Sequence, residues 1–146
     1  MGGRKRVMSA SERGSAMLRS ADKAAEKFSV RHMNDTKWRE VLTLFHDPEC
    51  SIKRILLKFT DRPDVIPSSG QFSLSDFVCD GFPGSFLYRE IEWLLIPRRY
   101  LDQRGNKGTP PSEHEQSYAE LLIRLKELGQ LPIRETADGM MIVGYE

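Results

Sequence analysis

Phe86-Leu87-Tyr88-Arg89-Glu90-Ile91-Glu92-Trp93-Leu94-Leu95-Ile96 is the stretch on which the fold turns. It contains no glycine or proline, and Pro97 closes it. Strict alternation places Leu87, Ile91, Trp93 and Leu95 on one face with Arg89. Phe86, Tyr88, Leu94 and Ile96 fall on the other with Glu90 and Glu92. A strand that is apolar on both faces needs cover on both, which is the situation of a central strand. Residues 86–96 are therefore expected to form the middle of a sheet.

Upstream of this strand, Asp80-Gly81-Phe82-Pro83-Gly84 is a turn cluster. Residues 71–77 read as a short extended segment or a turn. Pro63, Pro67 and Gly70 make residues 61–70 a loop. In residues 51–59, Ile52, Ile55, Leu56 and Phe59 have helical spacing, so a short helix is expected, with a strand as the alternative. Before that, Trp38, Val41, Leu42 and Phe45 recur at the spacing of one helix face. Asn34 or Asp35 can cap this helix, and Asp47-Pro48 ends it because the residue before proline avoids the helical region.

Downstream, residues 98–109 are polar, contain Gly105 and Gly108, and read as a mobile loop. Pro110-Pro111 precedes Ser112-Glu113-His114-Glu115, a capping box in which each end satisfies the other's spare backbone donor. Tyr118, Leu121, Leu122, Leu125 and Leu128 then make one apolar stripe. A helix over residues 112–128 follows, with Gly129 as its stop. The chain closes with two apolar runs around Ala137-Asp138-Gly139, a β-hairpin signal. The order of elements implies an α+β fold: a small, mostly antiparallel sheet of three or four strands with two or three helices on one face.

Composition divides the chain at Met33. Residues 1–32 carry eight Lys/Arg against three Asp/Glu, a net of +5, and few large apolar side chains. Such a segment cannot offset its own ordering entropy, although residues 16–27 favour a weak helix. It reads as a disordered tail or an upstream-start extension with Met33 as the natural start. The sharper alternative is a basic arm, led by Arg4, Lys5 and Arg6, that touches RNA, DNA or an acidic partner. Residues 33–146 carry fourteen basic against eighteen acidic residues, a net of −4, which argues against a nucleic-acid-binding core. They are expected to form one domain. Two cysteines are too few for a disulfide framework and suit a reducing cytoplasm. No apolar run approaches the ~20 residues that span a bilayer, so no membrane partner is expected.

Three motifs carry a resemblance. Asn34-Asp35-Thr36-Lys37-Trp38-Arg39-Glu40, Tyr88-Arg89-Glu90-Ile91-Glu92-Trp93-Leu94, and the run from Glu135-Thr136-Ala137-Asp138-Gly139 to Gly144-Tyr145 resemble the opening, central strand and closing hairpin of a small bacterial domain family of unknown function. The resemblance covers residues 33–146. Residues 68–85 lack the Trp-rich segment expected of that family. What it implies is a small cytoplasmic bacterial domain, without an activity.

The chemistry-bearing residues are few. Glu90 and Glu92, two apart on one strand face, are close enough to share a proton or a cation. As paired carboxylates they would suit a small hydrolase or transferase; as acids they would suit the occlusion of a partner's site. Trp93 can grip a partner, although it and Trp38 are spaced as core residues. Arg98 and Arg99 can hold phosphate or carboxylate. Cys50 or Cys79 with His46 would make a nucleophile pair. His46, Asp47, Glu49 and Cys50 lack a second ligand cluster, so no metal is expected, and no cofactor motif is present. The sequence reading is thus a non-enzymatic protein-binding module, most sharply an immunity- or antitoxin-like inhibitor. Nucleic-acid association through residues 1–32 and catalysis by Glu90/Glu92 are its alternatives.

Overall fold

A computed structural model describes residues 10–74, 78–79, 86–102, 110 and 112–146. Its centre is a five-stranded sheet of β1 (Ile55–Phe59), β2 (Val65–Ser68), β5 (Ile91–Pro97), β8 (Ile133–Glu135) and β9 (Gly139–Val143). The spatial order is β2-β1-β5-β9-β8, with every pair antiparallel. Two small ribbons flank it: β3 (Ser73–Leu74) with β4 (Val78–Cys79), and β6 (Arg99–Asp102) with β7 (Ser112–Glu115). Three helices complete the described chain: α1 (Ala10–Ala25), α2 (Asp35–Leu44) and α3 (Ala119–Glu127). The fold is α+β, with more strands than the three or four expected.

One sheet face forms the core. Cross-strand register lines up Ile66, Leu57, Leu94, Ile142 and Ile133 in one row across all five strands, and Ile96 with Met140 in the next. Trp38, Val41 and Leu42 from α2, Phe45 at its C-cap, and Leu121 and Leu125 from α3 close over these rows. Burial of such side chains contributes about 1.5–3 kcal/mol each. Asn34 caps α2, its Oδ1 accepting from the Lys37 amide at 2.8 Å. At the closing hairpin, a Cβ on Gly139 would overlap the Ile96 carbonyl oxygen, so the strands approach as only glycine permits.

Several expectations are corrected. Residues 51–59 do not form a helix: Ile55, Leu57 and Phe59 enter the core while Leu56 and Lys58 face the other way. Pairing on both sides, with β2 and β5, gives this segment two ladders of hydrogen bonds that a short helix would forgo. The loop expected over residues 61–70 contains β2, where an edge position tolerates Pro67. The central strand starts at Ile91 rather than Phe86, because Tyr88–Glu90 forms a 3-10 turn. The capping box at residues 112–115 is not used as one. These residues pair with β6, placing Arg99 3.3 Å from Glu115 and 3.7 Å from Glu113, and stacking Tyr100 on His114 at 5.5 Å. The helix begins at Ala119. Residues 99–102 of the expected loop are therefore strand; residues 103–109 and the turn cluster at 80–84 lie outside the described residues.

The division at Met33 is one of composition, and the backbone bonds across it. The Ser29 and Val30 amides donate to the Glu146 carbonyl, the Glu146 amide to Val30, and the His32 amide to Gly144. Phe28 stacks on Tyr145 at 5.3 Å. Arg89 joins Asp22 of α1 to Asp35 of α2, both at 3.0 Å. Among the described residues, no helix is long and apolar enough to cross a membrane.

Candidate functional site

The second face of the sheet carries most of the residues singled out from the sequence. Its rows are Pro67, Leu56, Leu95, Met141 and Arg134 across all five strands, and Val65, Lys58, Trp93 and Val143 beside them. The core helices α2 and α3 pack on the opposite side. Leu95 and Val143 are buried, Leu56, Trp93 and Met141 are half-buried, and Val65 is 45% exposed. The middle of this face is apolar, whereas a sheet face turned to water normally alternates to polar residues.

A β-bulge shapes the centre. Lys58 lies opposite Trp93 and Phe59 opposite Ile91, which leaves Glu92 as the extra residue. A bulge turns two successive side chains toward the same side, and Glu92 meets Lys58 there at 3.3 Å. The Lys58 ammonium also donates to the Phe59 carbonyl at 2.7 Å. The Glu92 carbonyl accepts the Gly144 and Tyr145 amides at 2.7 and 3.1 Å. Gly144 permits this approach, since a Cβ there would strike the Ile91 carbonyl. Trp93 stands beside the Lys58–Glu92 pair, half-buried, while Trp38 is fully buried in the core on the other side.

At one end the face runs into a groove of about 540 Å³ lined by Leu56, Leu95, Pro97, Arg98, Arg99 and Asp138. Arg98 donates from Nε to the Tyr118 hydroxyl at 3.1 Å and lies 3.8 Å from Glu135. Arg99, the more exposed, is held by the β7 acids described above. Four sequence candidates, Glu92, Trp93, Arg98 and Arg99, thus meet on this face or at its rim.

Glu90 does not join them. It ends the 3-10 turn, and its Oε2 accepts the Leu87 amide at 2.6 Å. Burial pushes its carboxyl above the usual range, against the lowering effect of that bond. The described contacts of Glu90 and Glu92 share no partner, so the expected carboxylate pair on one strand face is replaced by two separately engaged acids. The raised Glu90 value has a consequence with a definite sign. Its stabilising contribution is complete below the unfolded glutamate pKa and declines as pH rises through the higher folded value. Glu90→Gln keeps an acceptor for Leu87 and removes the buried charge. It should be more stable than the parent at pH 7, with the difference shrinking as pH falls through the raised folded value and smallest below pH 4.5, the ordinary glutamate value, in urea melts across pH. A variant less stable at neutral pH would show that the charge itself is needed.

Cys50 is a core residue, and burial followed by the nearby Asp47 pushes its thiol up, away from a thiolate at neutral pH. His46 is exposed. The side chain of Cys79, and Arg4, Lys5 and Arg6, lie outside the described residues. Among the described residues, no group of three His, Cys, Asp or Glu side chains could hold a metal.

No family model, no curated protein and no solved structure matches the chain.

Gln116 is a structural residue that the sequence did not point to. It is 7% exposed and uses its whole amide. Its Oε1 accepts the Lys53 and Arg54 amides at 2.7 and 3.0 Å, and its Nε2 donates to the Arg54 and Pro97 carbonyls, both at 2.9 Å. Its own backbone amide donates to Arg98 at 2.7 Å. Gln116 therefore locks the entry to β1 onto the exit of β5, at the end where Arg98 and Arg99 project.

Proposed function

We propose that the protein is a non-enzymatic protein-binding module whose contact surface is the sheet face turned away from α2 and α3. The observation that carries this reading is the apolar strip Leu56, Trp93, Leu95 and Met141 on that face. Leu56, Trp93 and Met141 are half-buried around the buried Leu95, and apolar surface on the outer face of a sheet is a mark of an interaction site. Trp93 is of the type that dominates interface energies. Charges of both signs, the Lys58–Glu92 pair with Arg98 and Arg99, supply the polar rim that a protein partner would complement. In its sharpest form the module is an inhibitor that occludes a partner's site. A small cytoplasmic bacterial protein, as the motif resemblance implies, fits that role.

The test begins with affinity capture from the host using the full chain, followed by titration of the purified partner. Trp93→Ala should weaken binding by about tenfold or more, and hydroxyl-radical footprinting should protect Trp93 and Met141 in the complex. A stoichiometric partner that binds Trp93→Ala as well as the parent, with both residues unprotected, would refute the assignment to this face.

A further inference from the structure

The two edges of the main sheet are finished differently. The β2 edge carries Pro67, which has no amide to offer an incoming strand. The β8 edge, three residues long with Arg134 and Glu135, contains no proline, so its outward backbone groups remain. Its inward bonds follow the hairpin: the Thr136 amide donates to Gly139 at 2.7 Å and the Val143 amide to Pro132 at 3.0 Å. Antiparallel register then turns Arg134 toward β9, and Ile133 and Glu135 outward. The outward Ile133 amide is occupied locally by the Leu131 carbonyl at 2.8 Å. The Ile133 carbonyl and the Glu135 amide and carbonyl have no backbone partner among the described residues.

This open edge borders a groove of about 750 Å³ between β8 and α3, lined by Leu122, Lys126, Gln130, Leu131, Ile133 and Glu135. Ile133 and Glu135 lie on the core side of the sheet by register, so they face the same side as α3. Leu122, Leu131 and Ile133 are half-buried and form an apolar floor. Lys126 is exposed on the helix wall and has no ion-pair partner among the described residues. The edge presents acceptor, donor and acceptor at the spacing of an extended chain; the acid of the groove, Glu135, lies 3.8 Å from Arg98, which leaves Lys126 as the unpaired charge that an incoming acid complements.

We propose that this groove takes an extended peptide segment of another protein as a sixth strand, with apolar side chains alternating onto Leu122, Leu131 and Ile133 and a carboxylate meeting Lys126. In strand addition the backbone bonds supply affinity, and the pockets for alternate side chains supply selectivity. The site is separate from the sheet face proposed above and does not depend on it.

The experiment is selection of a phage-displayed library of random linear peptides on the full chain, with affinities of the enriched peptides measured by titration. Enrichment of an alternating apolar pattern containing Asp or Glu is expected. Glu135→Pro removes the one outward donor without touching the β8–β9 bonds and should weaken these peptides by about tenfold. Glu135→Ala should leave them bound. Lys126→Glu, a solvent-exposed change that spares the fold, should weaken the acid-bearing peptides by a similar factor. Trp93→Ala should have no effect. Peptides without alternation, peptides indifferent to both Glu135→Pro and Lys126→Glu, or peptides lost with Trp93→Ala would each overturn the proposal.

Discussion

Replacing Gln116 with alanine is expected to destabilise the protein by about 3–5 kcal/mol, among the largest losses for any single side chain here. The reason is the number of backbone groups that depend on one amide. The Lys53 and Arg54 amides and the Arg54 and Pro97 carbonyls all bond to it, at 2.7–3.0 Å. Each buried backbone group left without a partner costs about 1–3 kcal/mol, reduced where water enters the gap. Gln116→Glu separates hydrogen bonding from size. A carboxylate still accepts from Lys53 and Arg54, but it would face the Arg54 and Pro97 carbonyls with no proton to donate. It should therefore lose about as much as the alanine variant at pH 7. Urea denaturation of both variants decides the matter: a loss below ~1 kcal/mol in both would mean that the bridge is dispensable.

Trp38→Ala is expected to cost about 3–5 kcal/mol, the range for removing a buried aromatic side chain. Trp38 is fully buried between α2 and the sheet, and its ring lies against the backbone of Gly144, so the gap cannot collapse without moving backbone. Trp38→Phe is the informative companion. The indole Nε1 has no hydrogen-bond partner among the described residues. The phenylalanine variant therefore loses volume but no hydrogen bond, and it relieves a buried donor. We expect it to cost only about 1–2 kcal/mol, a small share of the alanine loss. Equal losses for the two variants in thermal and urea melts would show that the indole nitrogen is satisfied in solution.

The candidate site was partly legible in the residues themselves. Glu92, Trp93, Arg98 and Arg99 attract notice because charge and a large aromatic interrupt an apolar run. What the residues did not disclose is which of them share a surface. Simple alternation assigns Trp93 and Glu92 to opposite faces, and the bulge opposite Lys58 brings them to the same one. Alternation likewise groups Glu90 with Glu92, and the 3-10 turn separates them. Gln116 gave no signal, because a glutamine inside an apparent helical segment looks like a solvated position. Its role exists only because residues 53–54 and Pro97 arrive beside it from other parts of the chain.

The elements that sequence alone determined are those whose causes lie within a few residues of each other. Asn34, the stripe Trp38-Val41-Leu42-Phe45 and Asp47-Pro48 define α2. The stripe from Leu121 to Leu125 defines the body of α3, and Ala137-Asp138-Gly139 the closing hairpin. The apolar run ending at Pro97 marks the central strand. The tertiary structure decided the rest. Ile55–Phe59 became a strand because it pairs on both sides, and Ser112–Glu115 became one because Arg99 and Tyr100 lie opposite. It also decided which sheet face the helices cover and which edge stays open. Local preferences amount to tenths of a kcal/mol per residue. A ladder of cross-strand bonds and a buried row of side chains outweigh them, and neither exists until distant segments meet.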